Sequence, residues 1–259
     1  MYNIITSKEN ENIKKLVKLI ASASERRVVG LFVVETPKLA LDINKNKPNL
    51  VKEVYYTEEA LEKTPRLAKI VGEHYIISSD VAKKLSGQKS TSGVYLVADM
   101  PNIQELPVSY SRYICLEEIQ DPANVGAILR TAVAFGFECA AITQNSADPF
   151  SQKALRASMG AALKIDIFIT DDLPKELKFL QKEKISVIAT TLQNAKSITS
   201  TVNVEKIAVC IGNEGNGLSD EVTQMANERI FIPMQSNTES LNAAAAAAIF
   251  MWHFRRGNI

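Results

Sequence analysis

The sequence predicts an α/β protein of two domains, a small amino-terminal α/β sandwich followed by a larger domain with a mostly parallel sheet. Three observations support this fold class. Short apolar or β-branched runs alternate with segments of helical spacing along the 259 residues. A proline-containing stretch without periodicity interrupts this alternation near residue 100. The length suffices for two hydrophobic cores.

The first domain is expected to span residues 1–100. Residues 10 to 21 place apolar side chains at helical spacing, which predicts an amphipathic helix with its lysines off the apolar stripe. The further predicted elements are strands at 31–35, 53–57, 75–78 and 93–98, helices opened by Thr36 and Asp80, and a mixed helical stretch around 58–73. Residues 101–111 contain two prolines and are expected to form a linker.

The second domain, residues 112–259, is expected to contain a parallel sheet covered by helices on both faces. The predicted strands are 113–117, 139–143, 164–169, 186–191, 206–211 and 229–232. The predicted helices are 125–135, 151–158, 173–183, 219–227 and 240–255. Ligands of such sheets bind beyond the carboxyl ends of the strands.

The composition favours a soluble globular protein over membrane and metal-binding classes. Hydrophobic residues make up 46% and charged residues 23%, which is ordinary for a soluble globular protein. No apolar run approaches the roughly 18 residues of a membrane span, and the first residues lack a signal-peptide core, so we expect a cytoplasmic protein without a membrane partner. The three cysteines are expected to be buried reduced thiols, and with only two histidines no metal site is expected.

Charge differs between the two parts of the chain. Residues 1–107 carry 16 Lys and Arg against 13 Asp and Glu, a net charge of +3, whereas residues 108–259 carry 14 against 16, a net charge of −2. An RNA partner is therefore expected to dock through the first part. A net charge of +3 is explained equally well if the charged side chains of this part simply face solvent.

Three strand-to-helix corners are the segments that most strongly indicate a functional site. They are the first corner, residues 116–137, the second corner, residues 211–221, and the third corner, residues 232–248. In each, an apolar run stops at a cluster of Asn, Gly, Asp or Ser, and a helical pattern then begins. Exposed backbone amides at helix starts, next to glycines that permit close approach, hold polar ligands without charged side chains. The corners therefore predict a ligand site.

In the first corner Asn124 is predicted to cap the helix 125–135, with Gly136 ending it. Gly126 and Arg130 lie four residues apart and share a helix face, so a phosphate that approaches over the glycine meets the guanidinium. The alternative for Arg130 is a structural salt bridge to a carboxylate of the same corner, namely Asp121, Glu117 or Glu118.

The second corner lacks the Lys-Ser or Lys-Thr end of a phosphate-binding P-loop, and GNEGNG does not match the GxGxxG of dinucleotide folds. A nucleotide hydrolase is therefore disfavoured. Asn213 and Glu214 are candidates for another role, in which Glu214 accepts hydrogen bonds from a ligand amine or ribose, or from Arg130. The alternative is a tight turn in which Glu214 is simply exposed.

In the third corner Ser236, Asn237 and Thr238 are predicted to form a polar turn, followed by an alanine-rich helix. Ser240 and Asn242 lie where this helix opens, and two polar groups at that position are suited to orient a ligand in an apolar pocket.

Together, DPANVGAILRTAVAFG, IGNEGNGLSDE and IPMQSNTESLNAAAAAA resemble the three signature motifs of the SpoU/TrmH (SPOUT) family of RNA ribose 2′-O-methyltransferases. The resemblance covers residues 113–255, and the first hundred residues resemble that family's substrate-binding extension, a ribosomal-protein-like RNA-binding fold. It implies S-adenosylmethionine as the methyl donor, a homodimer, and an α/β-knot domain whose carboxyl-terminal segment threads a trefoil knot. Large-subunit ribosomal RNA is the favoured substrate, with tRNA left open. The alternative is a non-catalytic RNA-binding or ribosome-assembly factor on the same fold.

The resemblance also assigns residues by position. The catalytic set is Arg130, Asn124, Glu214, Ser240 and Asn242. The cofactor-binding set is Thr191, Leu192, Gly212, Asn213, Gly217, Ile232, Met234, Leu241 and Asn242. RNA contacts are expected from basic residues of the first domain, Lys14, Lys15, Lys18, Arg26 and Arg27.

Overall fold

The computed structural model describes residues 3–87, 91–101, 103, 105–201, 204–235 and 240–255. The chain forms two compact units, each with its own sheet. The first comprises Met1–Pro101 with Phe150–Leu155, and the second comprises Asn102–Pro149 with Arg156–Ile259.

The first unit contains a five-stranded mixed sheet. Its strands are β1 (Asn3–Ile5), β2 (Leu31–Glu35), β3 (Val51–Tyr56), β4 (Glu73–Ile77) and β5 (Val94–Asp99), in the order β1-β4-β3-β5-β2. β1 and β3 run parallel to β4, whereas β5 runs antiparallel to β2 and β3. The helices are α1 (Glu11–Ala21), α2 (Ala23–Val29), α3 (Pro37–Asn46), α4 (Glu58–Lys63) and α5 (Ser79–Ser86). Apolar residues of α1 and α5 pack on the sheet in one hydrophobic cluster.

Helix α2 is an element that the sequence analysis did not predict. The backbone of Ser22 ends α1, and its hydroxyl then accepts a hydrogen bond from the Glu25 amide at 3.2 Å, so one residue closes one helix and caps the next. Gly30 ends α2 in the left-handed conformation, with φ of 71°.

The position of Arg26 corrects its assignment as an RNA contact. Its side chain is only 3% exposed, and the guanidinium donates hydrogen bonds to the carbonyls of Leu19 and Ile20 in the last turn of α1. A cation there satisfies carbonyls that the helix end leaves without intrahelical partners. Arg26 therefore joins α1 to α2 and is removed from the set of residues expected to contact RNA.

The second unit contains a seven-stranded sheet in which every pair is parallel. The strands are β6 (Arg112–Leu116), β7 (Cys139–Thr143), β8 (Asp166–Thr170), β9 (Ser186–Thr190), β10 (Lys196–Ser197), β11 (Ile207–Ile211) and β12 (Glu228–Phe231), in the order β10-β12-β9-β11-β6-β7-β8. The remaining helices are α6 (Pro122–Ala134), α7 (Gln152–Ser158), α8 (Leu173–Lys182), α9 (Asp220–Met225) and α10 (Ala243–His253). The predicted α/β class with a parallel sheet is confirmed, and the trefoil knot stays a prediction.

The segment expected to be a linker, residues 101–111, packs on the second unit. Leu106 is 4% exposed and belongs to the hydrophobic cluster of that unit, and Ile103 and Tyr110 pack against the same cluster. Two prolines suppress regular structure here without preventing burial, because irregular backbone still carries apolar side chains into a core. The segment after Pro101 therefore belongs to the second unit rather than to a linker.

The cysteines have the environment that the sequence predicted. Cys115, Cys139 and Cys210 are free and buried. Cys115 and Cys210 are register partners on β6 and β11, and a hydrogen bond between the two thiols, together with burial, raises the pKa of Cys115 well above its usual value.

The described ranges contain neither a membrane-spanning helix nor a cluster of metal ligands. None of their helices combines the length and the apolar character needed to cross a bilayer. In those ranges, no group of three or more His, Cys, Asp or Glu side chains is placed to hold a metal ion.

Arg26→Ala is expected to lower the free energy of unfolding by about 2 to 4 kcal/mol, because it deletes a buried cation and its hydrogen bonds to two helix carbonyls. The matched control is Arg27→Ala on the same helix, where the side chain is exposed and the expected change is within about 0.5 kcal/mol. Urea denaturation of both variants measures the difference. Equal stabilities of the two variants would contradict the structural role of Arg26.

Candidate functional site

The three corners follow strands that lie close together in the sheet. The first corner leaves the end of β6, the second leaves β11, and the third leaves β12. β11 lies between β6 and β9, and β12 lies on the far side of β9. Because all these strands are parallel, their carboxyl ends lie at one edge of the sheet, where ligands of such sheets bind.

A chain of side-chain hydrogen bonds joins the three corners. Asn242 of the third corner donates from Nδ2 to Asn124 Oδ1 of the first corner at 3.0 Å. Asn124 in turn donates from its own Nδ2 to Glu214 Oε1 of the second corner at 2.8 Å. Three of the five predicted catalytic residues are therefore in direct contact, and the predicted convergence of the corners is confirmed.

Asn124 does not cap α6, which corrects the sequence prediction. The cap is Asp121, whose carboxylate accepts a hydrogen bond from the Ala123 amide at 2.9 Å. Pro122 explains the shift, because its fixed φ and missing N–H suit the first position of a helix and leave the preceding residue as the cap. Asn124 thus lies in the first turn, 9% exposed, with its amide group available for Glu214 and Asn242. Gly136, with φ of 76°, follows the end of α6 as predicted.

Glu214 is held as a carboxylate. Burial alone would raise its pKa, but hydrogen bonds outweigh that effect and lower the pKa below its ordinary value of 4.5. The donors are the Asn124 side chain and nearby backbone amides, among them the Gln120 N–H, which lies 3.2 Å from Oε2. Glu214 is exposed, yet its carboxylate is held by the first corner, and among the described residues it forms no ion pair with Arg130.

The second corner is shaped by Asn213 and two of its glycines. Asn213 Oδ1 accepts hydrogen bonds from the amides of Gly215 and Asn216 at 2.8 and 3.0 Å, and its Nδ2 donates to the Glu118 carbonyl at 2.8 Å. Gly217 adopts φ of 72°. A Cβ on Gly212 would lie 2.2 Å from the carbonyl carbon of Gly217, so only glycine fits there. Asn213 therefore maintains the loop with its side chain, and its side-chain amide is already engaged.

A cavity of about 420 Å³ opens beside this loop. Its wall includes eight of the nine predicted cofactor-binding residues, namely Thr191, Leu192, Gly212, Asn213, Gly217, Ile232, Met234 and Leu241. Glu214 and Ser240 of the predicted catalytic set also line it. Asn124, Asn242 and Arg130 are not part of the wall. The expected polar turn at residues 236–238 lies outside the described residues.

The lining of the cavity fits a cofactor without phosphate groups. Lys, Arg and His are absent from the described lining, which instead combines apolar side chains, threonines, backbone groups and the carboxylates of Glu214 and Asp220. A phosphate in such a wall would be repelled by the carboxylates, whereas a cation would be attracted. S-adenosylmethionine carries a sulfonium and no phosphate, so these residues suit it as a ligand.

Arg130 is exposed on α6, and no described residue forms a hydrogen bond or salt bridge with its guanidinium. The salt-bridge alternative is therefore wrong. The carboxylates that it named are engaged elsewhere: Glu117 accepts hydrogen bonds from Ser219, Glu118 accepts one from Asn145 at 3.4 Å, and Asp121 caps α6. Arg130 remains available for an anionic ligand such as a phosphate of RNA.

The basic residues predicted to contact RNA differ in their availability. Lys14 forms salt bridges with Glu11 at 3.0 Å and Glu9 at 3.9 Å, and Lys15 forms one with Glu53 at 3.5 Å. Lys18 is exposed and has no such partner among the described residues. Arg27 is also exposed.

Gln120 contributes to the site and was missed by the sequence analysis. Its amide donates to Glu214, and its side-chain Nε2 donates to the carbonyls of Glu118 and Asn145 at 2.9 and 3.2 Å. It thereby fixes the loop that supports the first corner. A lone glutamine before a helix cap gives no local signal, so only a three-dimensional structure identifies it.

Comparison with known proteins gives a family match. Residues 111–252 match the model of the SpoU rRNA Methylase family. The 23S rRNA (guanosine(2553)-2′-O)-methyltransferase RlmP of Bacillus subtilis is 28% identical over 251 residues, which cover 97% of this chain and 98% of that protein. An uncharacterised tRNA/rRNA methyltransferase of Synechocystis is 30% identical, with 97% of this chain and 93% of that protein covered.

Solved structures share the fold. The AdoMet-bound rRNA methyltransferase of Sinorhizobium meliloti superposes with a TM-score of 0.82 at 23% identity and covers 97% of each chain. The SpoU methyltransferase AviRb of Streptomyces viridochromogenes, also in complex with AdoMet, gives a TM-score of 0.84 at 21% identity and covers 95% of this chain and 97% of its own.

Gly212→Ala is expected to weaken binding of S-adenosylmethionine by at least about tenfold, because the new Cβ forces apart the backbones of Gly212 and Gly217 within the second corner. The matched control is Gly215→Ala, where the nearest atom would be Asn213 Oδ1 at 3.5 Å, an ordinary contact, and the expected change is within about threefold. Titration calorimetry measures both affinities. If both variants bind as tightly as the wild type, the second corner does not shape the cofactor cavity.

Proposed function

Because this chain belongs to the SpoU rRNA methylase family, we propose that it transfers a methyl group from S-adenosylmethionine to a ribose 2′-OH of large-subunit ribosomal RNA. The general activity follows from the family: the chain is an S-adenosylmethionine-dependent RNA methyltransferase, as the sequence predicted. The choice of a ribose 2′-OH in large-subunit ribosomal RNA as the target is supported by the name of the Bacillus subtilis relative, a 23S rRNA 2′-O-methyltransferase.

The observation that carries the proposal is the convergence of the three corners beside a cavity whose described lining includes no basic residue. The backbone of Gly212 and the apolar side chains of Leu192, Ile232 and Leu241 line that cavity and are suited to hold the donor's adenosine. When bound, the donor supplies a methyl group on a sulfonium, which is already activated for transfer. The protein has therefore mainly to orient a ribose hydroxyl and assist the loss of one proton.

Arg130 is assigned to phosphate binding and charge stabilisation rather than to proton abstraction. A guanidinium is an extremely weak acid and keeps its proton in proteins. A fixed cation beside the reacting sugar stabilises the negative charge that develops on the 2′ oxygen and also binds the adjacent phosphate. Asn124, Glu214 and Asn242 act together by keeping the corners in place. No step of this scheme requires a metal ion.

The homodimer is part of the proposal. On α10, Ala245, Ile249 and Trp252 are exposed at helical spacing, and Ile249 and Trp252 are 39% and 55% exposed. An apolar stripe of this kind is typical of a surface that a second chain covers.

A cytoplasmic location is proposed as well, supported by three free buried thiols.

The first unit is proposed to supply RNA affinity through the polar face of α1 and through Arg27. Lys18 is its best candidate on α1, since Lys14 and Lys15 already form salt bridges. The rival function, a non-catalytic RNA-binding or ribosome-assembly factor, would not need the cofactor cavity that the second unit retains.

Arg130→Lys is expected to keep S-adenosylmethionine affinity and most RNA affinity while lowering the methyl-transfer rate by about 100-fold or more, because a lysine cannot reproduce the planar guanidinium. Transfer of a labelled methyl group to ribosomal RNA measures the rate. Mapping of 2′-O-methylated nucleotides in cells with and without the protein identifies the target. An unchanged rate would remove Arg130 from the mechanism, and an unchanged methylation map would refute the ribosomal target.

Lys18→Ala is expected to reduce the slope of log K against log salt for RNA binding by roughly 0.7 to 0.9, because one phosphate contact is lost. Lys14→Ala on the same helix is the matched control, and it should change the slope less because Lys14 is paired with Glu11. Filter binding at several salt concentrations measures both slopes. Identical slopes for the wild type and both variants would contradict RNA contact by this face of α1.

A further inference from the structure

The cofactor cavity contains two carboxylates whose surroundings differ. Glu214 accepts hydrogen bonds from Asn124 and from backbone amides, so its charge is engaged in holding the corners together. Asp220 also lines the cavity, yet no described residue forms a hydrogen bond or salt bridge with its carboxylate. The described lining includes no Lys, Arg or His that would neutralise it. Asp220 therefore leaves an uncompensated negative charge at the cavity.

The reaction in the proposed function changes the charge of the ligand in this cavity. The S–CH3 bond of the sulfonium breaks, a C–O bond to the ribose forms, and the hydroxyl proton is released. The sulfonium becomes a neutral thioether, while the ammonium and carboxylate of the amino-acid part are the same in substrate and product. Donor and product therefore differ by one positive charge and one methyl group.

We propose that Asp220 is a specificity-determining residue that favours the cationic methyl donor over the neutral product, S-adenosylhomocysteine. This inference rests on the proposed function, since it concerns the same cavity. A fixed negative charge at a partly exposed cavity attracts the sulfonium by Coulomb interaction and has no net attraction for the thioether. The effect promotes exchange of product for fresh donor after each methyl transfer.

Helix stabilisation is the competing explanation for Asp220. Its carboxylate lies in the first turn of α9, where acidic side chains interact favourably with the helix amino terminus. Glu221 shares that turn but lies outside the cavity lining and forms a salt bridge with Lys178 at 3.7 Å. Neutralising either residue removes a comparable helix interaction, whereas only Asp220 lines the cavity.

The test compares Asp220→Asn with Glu221→Gln by titration calorimetry, with S-adenosylmethionine and S-adenosylhomocysteine as separate ligands. Asp220→Asn is expected to weaken donor binding by about 3- to 10-fold and to change product binding by less than about twofold. Glu221→Gln is expected to change both by less than about twofold. The loss for the donor should shrink as salt is raised, since the cavity is open to solvent.

Several results would overturn the proposal. An equal loss for both ligands in Asp220→Asn would show that the carboxylate serves the shared ammonium or the loop. An unchanged donor affinity would show that it has no role in binding. A wild-type protein that binds neither ligand would instead refute the proposed function itself, which separates the two failures.

Discussion

The site depends on one constraint, the hydrogen-bonded chain from Asn242 through Asn124 to Glu214. Each of these side chains comes from a different corner, and the sequence separations are 90 residues for the second bond and 118 for the first. Asn242 also caps α10 by accepting hydrogen bonds from Ala244 and Ala245. The same side chain therefore fixes where the last helix begins and ties it to the other two corners.

These hydrogen bonds between the corners explain why the cavity wall can be built mainly from loops. Loops are ordinarily the mobile parts of an α/β domain, and a cofactor site requires fixed positions. Within the second corner, Asn213 and the backbone pairing with Gly217 hold the loop in shape, and Glu214 ties it to Asn124 of the first corner. Ionised Glu214 accepts hydrogen bonds without donating any, which suits it to receive several amide groups at once. The remaining carboxylate, that of Asp220, is left to act on the ligand.

Much of the fold was predictable because its signals are local. Strand β7 was predicted with its observed bounds, and six of the seven parallel strands follow from apolar runs that alternate with helical segments. Strand β10 was missed because two residues, Lys196 and Ser197, give no periodic pattern. Helix α2 was missed because a single residue, Ser22, separates it from α1. These errors concern elements too short for sequence periodicity.

The site was predictable only in part, because its decisive contacts are not local. The cofactor-binding residues were placed through a family resemblance, and eight of the nine line one cavity. The capping rule misplaced Asn124, since the rule considers neighbours in sequence and the true partners are distant. Arg26 was assigned to RNA because charge suggests exposure, whereas helix carbonyls hold it inside the first unit. Gln120 and Asp220 gave no sequence signal, since their roles depend on the loop and the cavity beside them.

The most direct test of this account is a double-mutant cycle on the hydrogen-bonded chain, with S-adenosylmethionine affinity as the measured quantity. Asn124→Ala removes the central link, and Asn242→Ser removes the donor to Asn124 while keeping a side chain able to cap α10. The account predicts that the double variant loses less binding free energy than the two single losses added together, with a coupling of about 1 kcal/mol or more. Losses that add within about 0.5 kcal/mol would show that the corners act independently and would contradict the central claim.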